Sequence, residues 1–156
     1  MERIEECTDS VILTEIQHKA FITVAKKFGY TIENAPYFSA FIKREKIDKQ
    51  MIDGCKFYVY KIEENIIGSI GYILENDNYV IERLAVIPEY RHNGIGKKLM
   101  EFIENEVKCK NAKKIQLAMV DNNLILKEWY KKLGYKIIET KDKGLIFKIT
   151  RVEKKL

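Results

Sequence analysis

The amino-acid sequence predicts a mixed α/β (α+β) fold, in which a mixed central sheet of about seven strands is combined with amphipathic helices. Three observations carry that prediction. Residues 56–87 contain three apolar, β-branched runs separated by short polar turns, which makes an antiparallel meander. Tyr79–Val107 reads as strand, glycine turn and helix, because an apolar run stopped by Pro88 gives way to residues of helical period. Two further stretches, Val11–Phe28 and the segment after Asn123, carry apolar stripes at helical spacing.

Taken in order, Glu2–Cys7 is a short first strand. Thr8, Asp9 and Ser10 offer N-cap chemistry for a helix over Val11–Phe28, where Ile12, Ile16, Ala20, Thr23, Val24 and Phe28 recur and Gly29 stops the pattern. Thr31–Pro36 is a loop. Tyr37 to about Met51 is a second, less regular helix with Phe38, Phe41 and Ile42 close together. Lys56–Ile62 and Ile66–Leu74 are strands joined at Glu63-Glu64-Asn65, with Gly68 and Gly71 marking a bulge or a close approach. Glu75–Asn78 turns the chain into the strand Tyr79–Ile87. The helix from Ile95 to about Lys110 has Ile95, Leu99, Phe102, Ile103 and Val107 on one stripe and Lys97, Lys98, Glu101 and Glu104 outside it. Asn111 turns into a strand over Lys113–Val120. Asp121-Asn122-Asn123 provides a cap for a helix with Leu126, Trp129, Tyr130 and Leu133 on one stripe, and Gly134 ends it. Tyr135–Glu139 and Leu145–Thr150 are closing strands, and Arg151–Leu156 is a charged tail. No repeat, linker or low-complexity segment divides the chain, so residues 1–156 are expected to form one domain.

The turn after Pro88 has a chemistry of its own. It leaves backbone N–H groups free at a helix N-terminus, where the helix dipole favours an anion. Gly94 and Gly96 let a phosphate approach the main chain, and Arg91, Lys97 and Lys98 add positive charge. A P-loop spaces its first glycine further from the Gly-Lys pair than Gly94-Ile95-Gly96-Lys97 does. A dinucleotide fingerprint needs a third glycine where Leu99 stands. What remains is Arg91-x-x-Gly94-x-Gly96 directly after a strand ending Leu84-Ala85-Val86-x-Pro88.

Composition limits the alternatives. The chain has 156 residues, 46% apolar and 33% charged, with a net charge of +5. The lysines are scattered over helix faces and the tail without forming a stripe, so no specific nucleic-acid partner is expected, while the charge suits an anionic ligand. Cys7, Cys55 and Cys109 form no Cys-x-x-Cys pair, and His18 and His92 stand far apart, so neither a disulfide framework nor a metal site is expected. No signal peptide, transmembrane span or other membrane association is expected, which places the protein in the cytoplasm.

The motif Arg91-x-x-Gly94-x-Gly96 resembles the acyl-CoA-binding motif of the GNAT superfamily of N-acetyltransferases, Arg/Gln-x-x-Gly-x-Gly/Ala. The segment from Asn123 to Tyr135 is similar to a second GNAT pattern, Asn-x-x-Ala/Leu-x-x-Phe/Leu-Tyr-x-x-x-Gly-Phe/Tyr: Asn123, Tyr130 and Gly134 fall in register, with Trp129 where Phe or Leu is commoner. The resemblance covers roughly residues 55–150, and before that it rests on element order alone.

It implies a twisted sheet with helices on both faces and two adjacent parallel strands, Tyr79–Ile87 and Lys113–Val120, that splay apart. The pantetheine arm of acetyl-CoA would lie in that gap against the backbone of Leu84, Ala85 and Val86. The pyrophosphate would sit on Arg91, His92, Asn93, Gly94, Ile95, Gly96 and Lys97. Asn123 would touch the pantetheine arm or cap its helix. Tyr130 matches the family's general acid for the leaving thiolate and would also border the cosubstrate. Glu82, a carboxylate in an apolar strand, is the candidate base; the alternatives are an ion pair with another strand's lysine, a carboxylate that positions the acceptor, or proton removal through water. Its neighbour Arg83 is expected on the opposite face, because strand side chains alternate. The N-terminal helices and their loop would border the acceptor, with Tyr30, Tyr37, Phe38 and Phe41 lining that pocket or packing as core.

The activity implied is acetyl-CoA-dependent N-acetylation of a primary amine, of a small molecule, without a metal. The alternatives are a protein N-terminus or lysine as acceptor, and, in another class, a non-catalytic acyl-CoA-binding regulatory module. A homodimer is in keeping with such folds, although no segment names an interface.

Overall fold

The computed structural model describes residues 1–156. The chain runs β1 (Glu2–Glu6), α1 (Ser10–Phe28), α2 (Arg44–Ile52), β2 (Lys56–Ile62), β3 (Asn65–Glu75), β4 (Asn78–Val86), α3 (Ile95–Lys108), β5 (Lys114–Val120), α4 (Leu124–Lys132), β6 (Lys136–Lys141) and β7 (Ile149–Lys155), with a 3₁₀ turn at Pro88–Tyr90 between β4 and α3. The caps follow side-chain chemistry. Asp9 accepts from the backbone N–H groups of Val11 and Ile12 at the start of α1. Asn123 Oδ1 accepts from Leu126 N at 3.1 Å at the start of α4.

The sheet has seven strands in the order β1-β2-β3-β4-β5-β7-β6. Every neighbouring pair is antiparallel except β4 and β5, which are parallel and pair only at Tyr79 with Ile115 and Val80 with Gln116. Beyond Val80 they part. β5 is paired along its whole length with β7 on its other edge, from Lys114 opposite Lys155 to Val120 opposite Ile149.

Helices cover both faces. Ile95, Leu99, Ile103 and Val107 of α3, together with Tyr130 of α4, pack on Ile67, Ile70, Ile81, Ile115, Leu117 and Val152 in the main core. On the opposite face Leu13 of α1 and Ile47 of α2 meet Phe57 and Val59, while Ile16 and Ala20 of α1 meet Ala85 of β4. No helix is long and apolar enough to cross a membrane.

Two expectations need correction. The second helix starts at Arg44 and not at Tyr37. Residues 37–41 form turns and a bend, with isolated bonds such as Phe41 N to Phe38 O at 2.8 Å. The physical reason is tertiary: Phe38 and Phe41 leave helical register to join an aromatic cluster with Phe21, Phe28, Tyr30 and Phe147. The last strand is Ile149–Lys155 and not Leu145–Thr150, so Arg151–Leu156 is no tail. Leu145 and Ile146 lie exposed in the connection instead. In β7 Thr150 and Val152 are buried, and the charged residues between and beyond them find partners. Lys154 Nζ donates to Glu104 Oε1 at 3.0 Å, and Glu153 accepts from Gln116 Nε2 at 2.6 Å. The lysines and the glutamate hid a strand with ordinary alternation.

Candidate active site

The turn between β4 and α3 is built to leave donors free. Gly94 is the N-cap of α3 in the left-handed region, with φ 76°, and no side chain caps the helix. Every backbone N–H from His92 through Lys97 lacks an acceptor in the protein. His92, Asn93 and Gly94 are exposed. Asn93 Nδ2 holds the turn by donating to Tyr90 O at 3.2 Å and Arg91 O at 3.1 Å. Gly96 answers a different need, because a Cβ there would stand 3.2 Å from the ring of Trp129. The N-terminus of α3 and the α4 indole therefore touch across the mouth of the gap.

The basic side chains around the turn divide. Lys97 stays exposed, near Glu101 at 4.0 Å. Lys98 turns away to Glu2 at 3.4 Å and the Tyr60 hydroxyl at 3.5 Å. Arg91 folds back: its Nε donates to Val86 O at 3.3 Å, one Nη to Thr23 Oγ1 at 3.2 Å, and the other Nη to Ala20 O. Its guanidinium ties α1 to the end of β4, a bracing task that sequence alone did not suggest.

Tyr130 belongs to the core cluster that joins Ile81 of β4 to Leu117 and Met119 of β5, its ring 5.0 Å from that of Trp129 and 5.9 Å from that of Tyr135. The residue is only 5% exposed. Burial alone pushes its phenol above the ordinary value, since no hydrogen bond or charge contributes. The hydroxyl oxygen is nevertheless not sealed, because the one fully enclosed side-chain polar atom without a partner is Gln17 Oε1. Behind Tyr130, Tyr135 donates to Glu104 Oε2 at 2.7 Å, which fixes the end of α4 against α3.

Glu82 and Arg83 occupy a break in β4. Ser69 faces Ala85 and Gly71 faces Glu82, so Arg83 and Leu84 together oppose Ile70: a bulge. Arg83 sits in the left-handed region with φ 59°. The bulge adds one residue to the alternation, and Arg83 therefore lies on the same face as Glu82, contrary to the alternating expectation. Its Nε donates to Gln50 Oε1 at 3.0 Å and one Nη to Ser39 Oγ at 3.2 Å. From α1, Gln17 Nε2 donates to Arg83 O at 2.8 Å and pins the bulge. Glu82 has neither a hydrogen bond nor an ion pair. Its burial raises the carboxyl above the ordinary 4.5, partly opposed by the Arg83 charge.

The aromatic residues expected at an acceptor pocket are placed differently from one another. Tyr30 packs on Phe38 at 5.0 Å and Phe147 at 5.1 Å, and its hydroxyl donates to Asn122 Oδ1 at 2.9 Å. Phe41 belongs to the same cluster. Tyr37 is 80% exposed. A hollow of about 510 Å³ between α1 and Glu64–Ile67 lies apart from Tyr130 and Glu82.

This is the architecture of an acetyltransferase fold: a mixed sheet parted at one parallel pair, with an open helix N-terminus at the mouth of the gap. The acetyltransferase (GNAT) family profile matches residues 26–135, and the chain belongs to that family. An uncharacterized N-acetyltransferase in the lysA 3′ region of Bacillus methanolicus is 37% identical over 51 residues, which are 32% of this chain and 42% of that protein, so the match spans less than half of that relative. The PaiA N-acetyltransferase of Thermoplasma acidophilum, solved in complex with coenzyme A, is 22% identical with a TM-score of 0.82 over 100% of this chain and 99% of its own. The ribosomal-protein-S18-alanine N-acetyltransferase of Escherichia coli is 13% identical with a TM-score of 0.79, over 99% and 94% of the two chains. At those identities the likeness is one of fold.

Proposed function

We propose that this protein is an acetyl-CoA-dependent N-acetyltransferase that acts on a primary amine of a small molecule. The observation that carries the reading is the parting of β4 from β5 after Val80, which leaves a strand edge unpaired beside a phenol that has no partner. Buried backbone donors and acceptors require partners, and an extended ligand with amide groups supplies them. Membership of the GNAT family and the coenzyme A complex of the PaiA protein support the same reading.

Acetyl-CoA would supply the activated acyl group. The free N–H groups from His92 through Lys97 suit its pyrophosphate, with Gly94 and Ile95 keeping the approach clear and Lys97 adding charge. The edge at Leu84, Ala85 and Val86 would take the pantetheine amides. Asn123, engaged as the α4 cap, would border that arm. Arg91 serves the site by holding α1 and β4 in place. Glu82 would accept the proton that the attacking amine loses, directly or through water, and its raised affinity for protons suits a base. As the carbon–nitrogen bond forms and the carbon–sulfur bond breaks, Tyr130 would give its proton to the departing sulfur. Burial keeps that proton on the phenol until the transfer.

Calorimetric titration of the ligand-free protein with acetyl-CoA tests the reading. Saturable binding is expected, weakened at least about tenfold in Gly94→Val, where a β-branched residue is forced to positive φ and crowds the phosphate site. Folded protein that binds no acetyl-CoA would overturn the proposal.

A further inference from the structure

We infer that the acceptor carries a carboxylate on the same carbon as its amine, as an α-amino acid does, and that Arg83 is the specificity-determining residue that receives the carboxylate. The inference rests on the acetyltransferase reading and sharpens it.

Arg83 has an unusual setting. The bulge turns it onto the α1/α2 face beside Glu82, at a φ of 59° that glycine or asparagine would adopt with less strain. A long cation is nevertheless held there by three elements: Gln50 of α2, Ser39 of the α1–α2 connection, and Gln17 of α1 on its carbonyl. Both side-chain partners are neutral oxygens, and no carboxylate forms an ion pair with the guanidinium. One Nη has no acceptor at all. A half-buried guanidinium fixed in orientation, which feels the Glu82 charge but has no carboxylate in ion-pair contact, is preorganised for an anion from outside, and its planar fork suits a carboxylate.

Glu82 is its complement. It is the preceding residue in the chain, on the same face, and has neither a hydrogen bond nor an ion pair of its own. An ammonium at Glu82 and a carboxylate at Arg83 would satisfy both charges with one small zwitterion. The other charges that act on Glu82 favour the same class of acceptor. Arg151 of β7 and Lys46 of α2 are cationic, and Glu75 of β3 is the further carboxylate. A polyamine would bring a second cation towards Arg83, Arg151 and Lys46. A peptide N-terminus would bring an amide where the carboxylate belongs.

The test is a thiol-release assay with acetyl-CoA, run on the proteinogenic L-amino acids, their α-carboxamides and their decarboxylated amines. We expect at least one amino acid to be acetylated with a kcat/KM roughly ten- to a hundredfold above that of its own carboxamide, the range of one charged hydrogen-bonded contact. In Arg83→Gln the ratio of acid to amide should fall to near unity, mainly through KM, with partial recovery in Arg83→Lys. Equal turnover of acid and amide, a preference for the decarboxylated amine, or an unchanged ratio in folded Arg83→Gln overturns the inference. So does the absence of turnover on every amino acid by protein that binds acetyl-CoA in the calorimeter. Each of those results leaves the acetyltransferase reading standing, whereas failure to bind acetyl-CoA removes that reading and this one together. If Arg83→Gln does not fold, the wild-type ratio of acid to amide decides alone.

Discussion

Replacing Tyr130 with Phe removes one oxygen from a ring packed 5.0 Å from Trp129 and 5.9 Å from Tyr135, and leaves those contacts in place. The hydroxyl bonds to no protein group, so the variant loses no intramolecular hydrogen bond. Its stability should stay within about 1 kcal/mol of the parent. A positioned general acid contributes about 10²- to 10⁴-fold. At about 1.36 kcal/mol per tenfold, that is roughly 2.7–5.4 kcal/mol of barrier. Turnover in Tyr130→Phe should therefore fall at least about a hundredfold, while the Kd for acetyl-CoA changes by less than about threefold. Steady-state thiol release gives the first quantity, calorimetry the second, and a thermal melt confirms the packing. Burial holds the phenol above its ordinary 10.0, so loss of this proton should add no falling limb to the wild-type rate below about pH 10. A kcat within about threefold of the parent removes Tyr130 from proton transfer. Equal losses in kcat and affinity would instead mark it as a packing residue.

Glu82→Gln should raise the melting temperature at neutral pH. The folded carboxyl titrates above its ordinary 4.5, so folding disfavours its ionised form; the gain should fade as pH falls through the raised value and vanish below 4.5, where both states are protonated. The same variant should lose the acid limb of the kcat/KM profile. Arg91→Ala should cost roughly 1–3 kcal/mol in denaturant unfolding, because it frees the carbonyls of Ala20 and Val86. Deleting residues 151–156 should abolish the cooperative melt, since they belong to a strand that lies between β5 and β6; a charged tail would leave the melt unchanged.

Much of the fold was legible because local signals and tertiary structure agree. Pro88, the glycine turn and the stripe Ile95–Leu99–Ile103–Val107 predict the β4–α3 unit, and Asn123 both predicts and makes the α4 cap. Where they disagree, the sequence misleads for identifiable reasons. Phe38 and Phe41 suggest a helix face, yet they are drawn into a cluster assembled by distant Tyr30 and Phe147. Lysines mask the alternation of β7. The bulge is silent because arginine, unlike glycine or asparagine, gives no warning of a positive φ. The shared face of Glu82 and Arg83 therefore emerges only in the folded chain, as does the bracing role of Arg91. The glycine-turn donors lie where the motif put them, because backbone geometry there follows from Gly94 itself.

The brief contact between β4 and β5 has a mechanical consequence. β1 to β4 form one hydrogen-bonded block and β5, β7 and β6 another, and only Tyr79–Ile115 and Val80–Gln116 stitch the two by ladder pairing. The sheet is stitched at one end of its seam and open at the other. An extended ligand laid along that seam would pair with the open strand edge and slow amide exchange in both blocks. The stiffness of the whole molecule would then be set by what is dissolved around it as well as by its own chain.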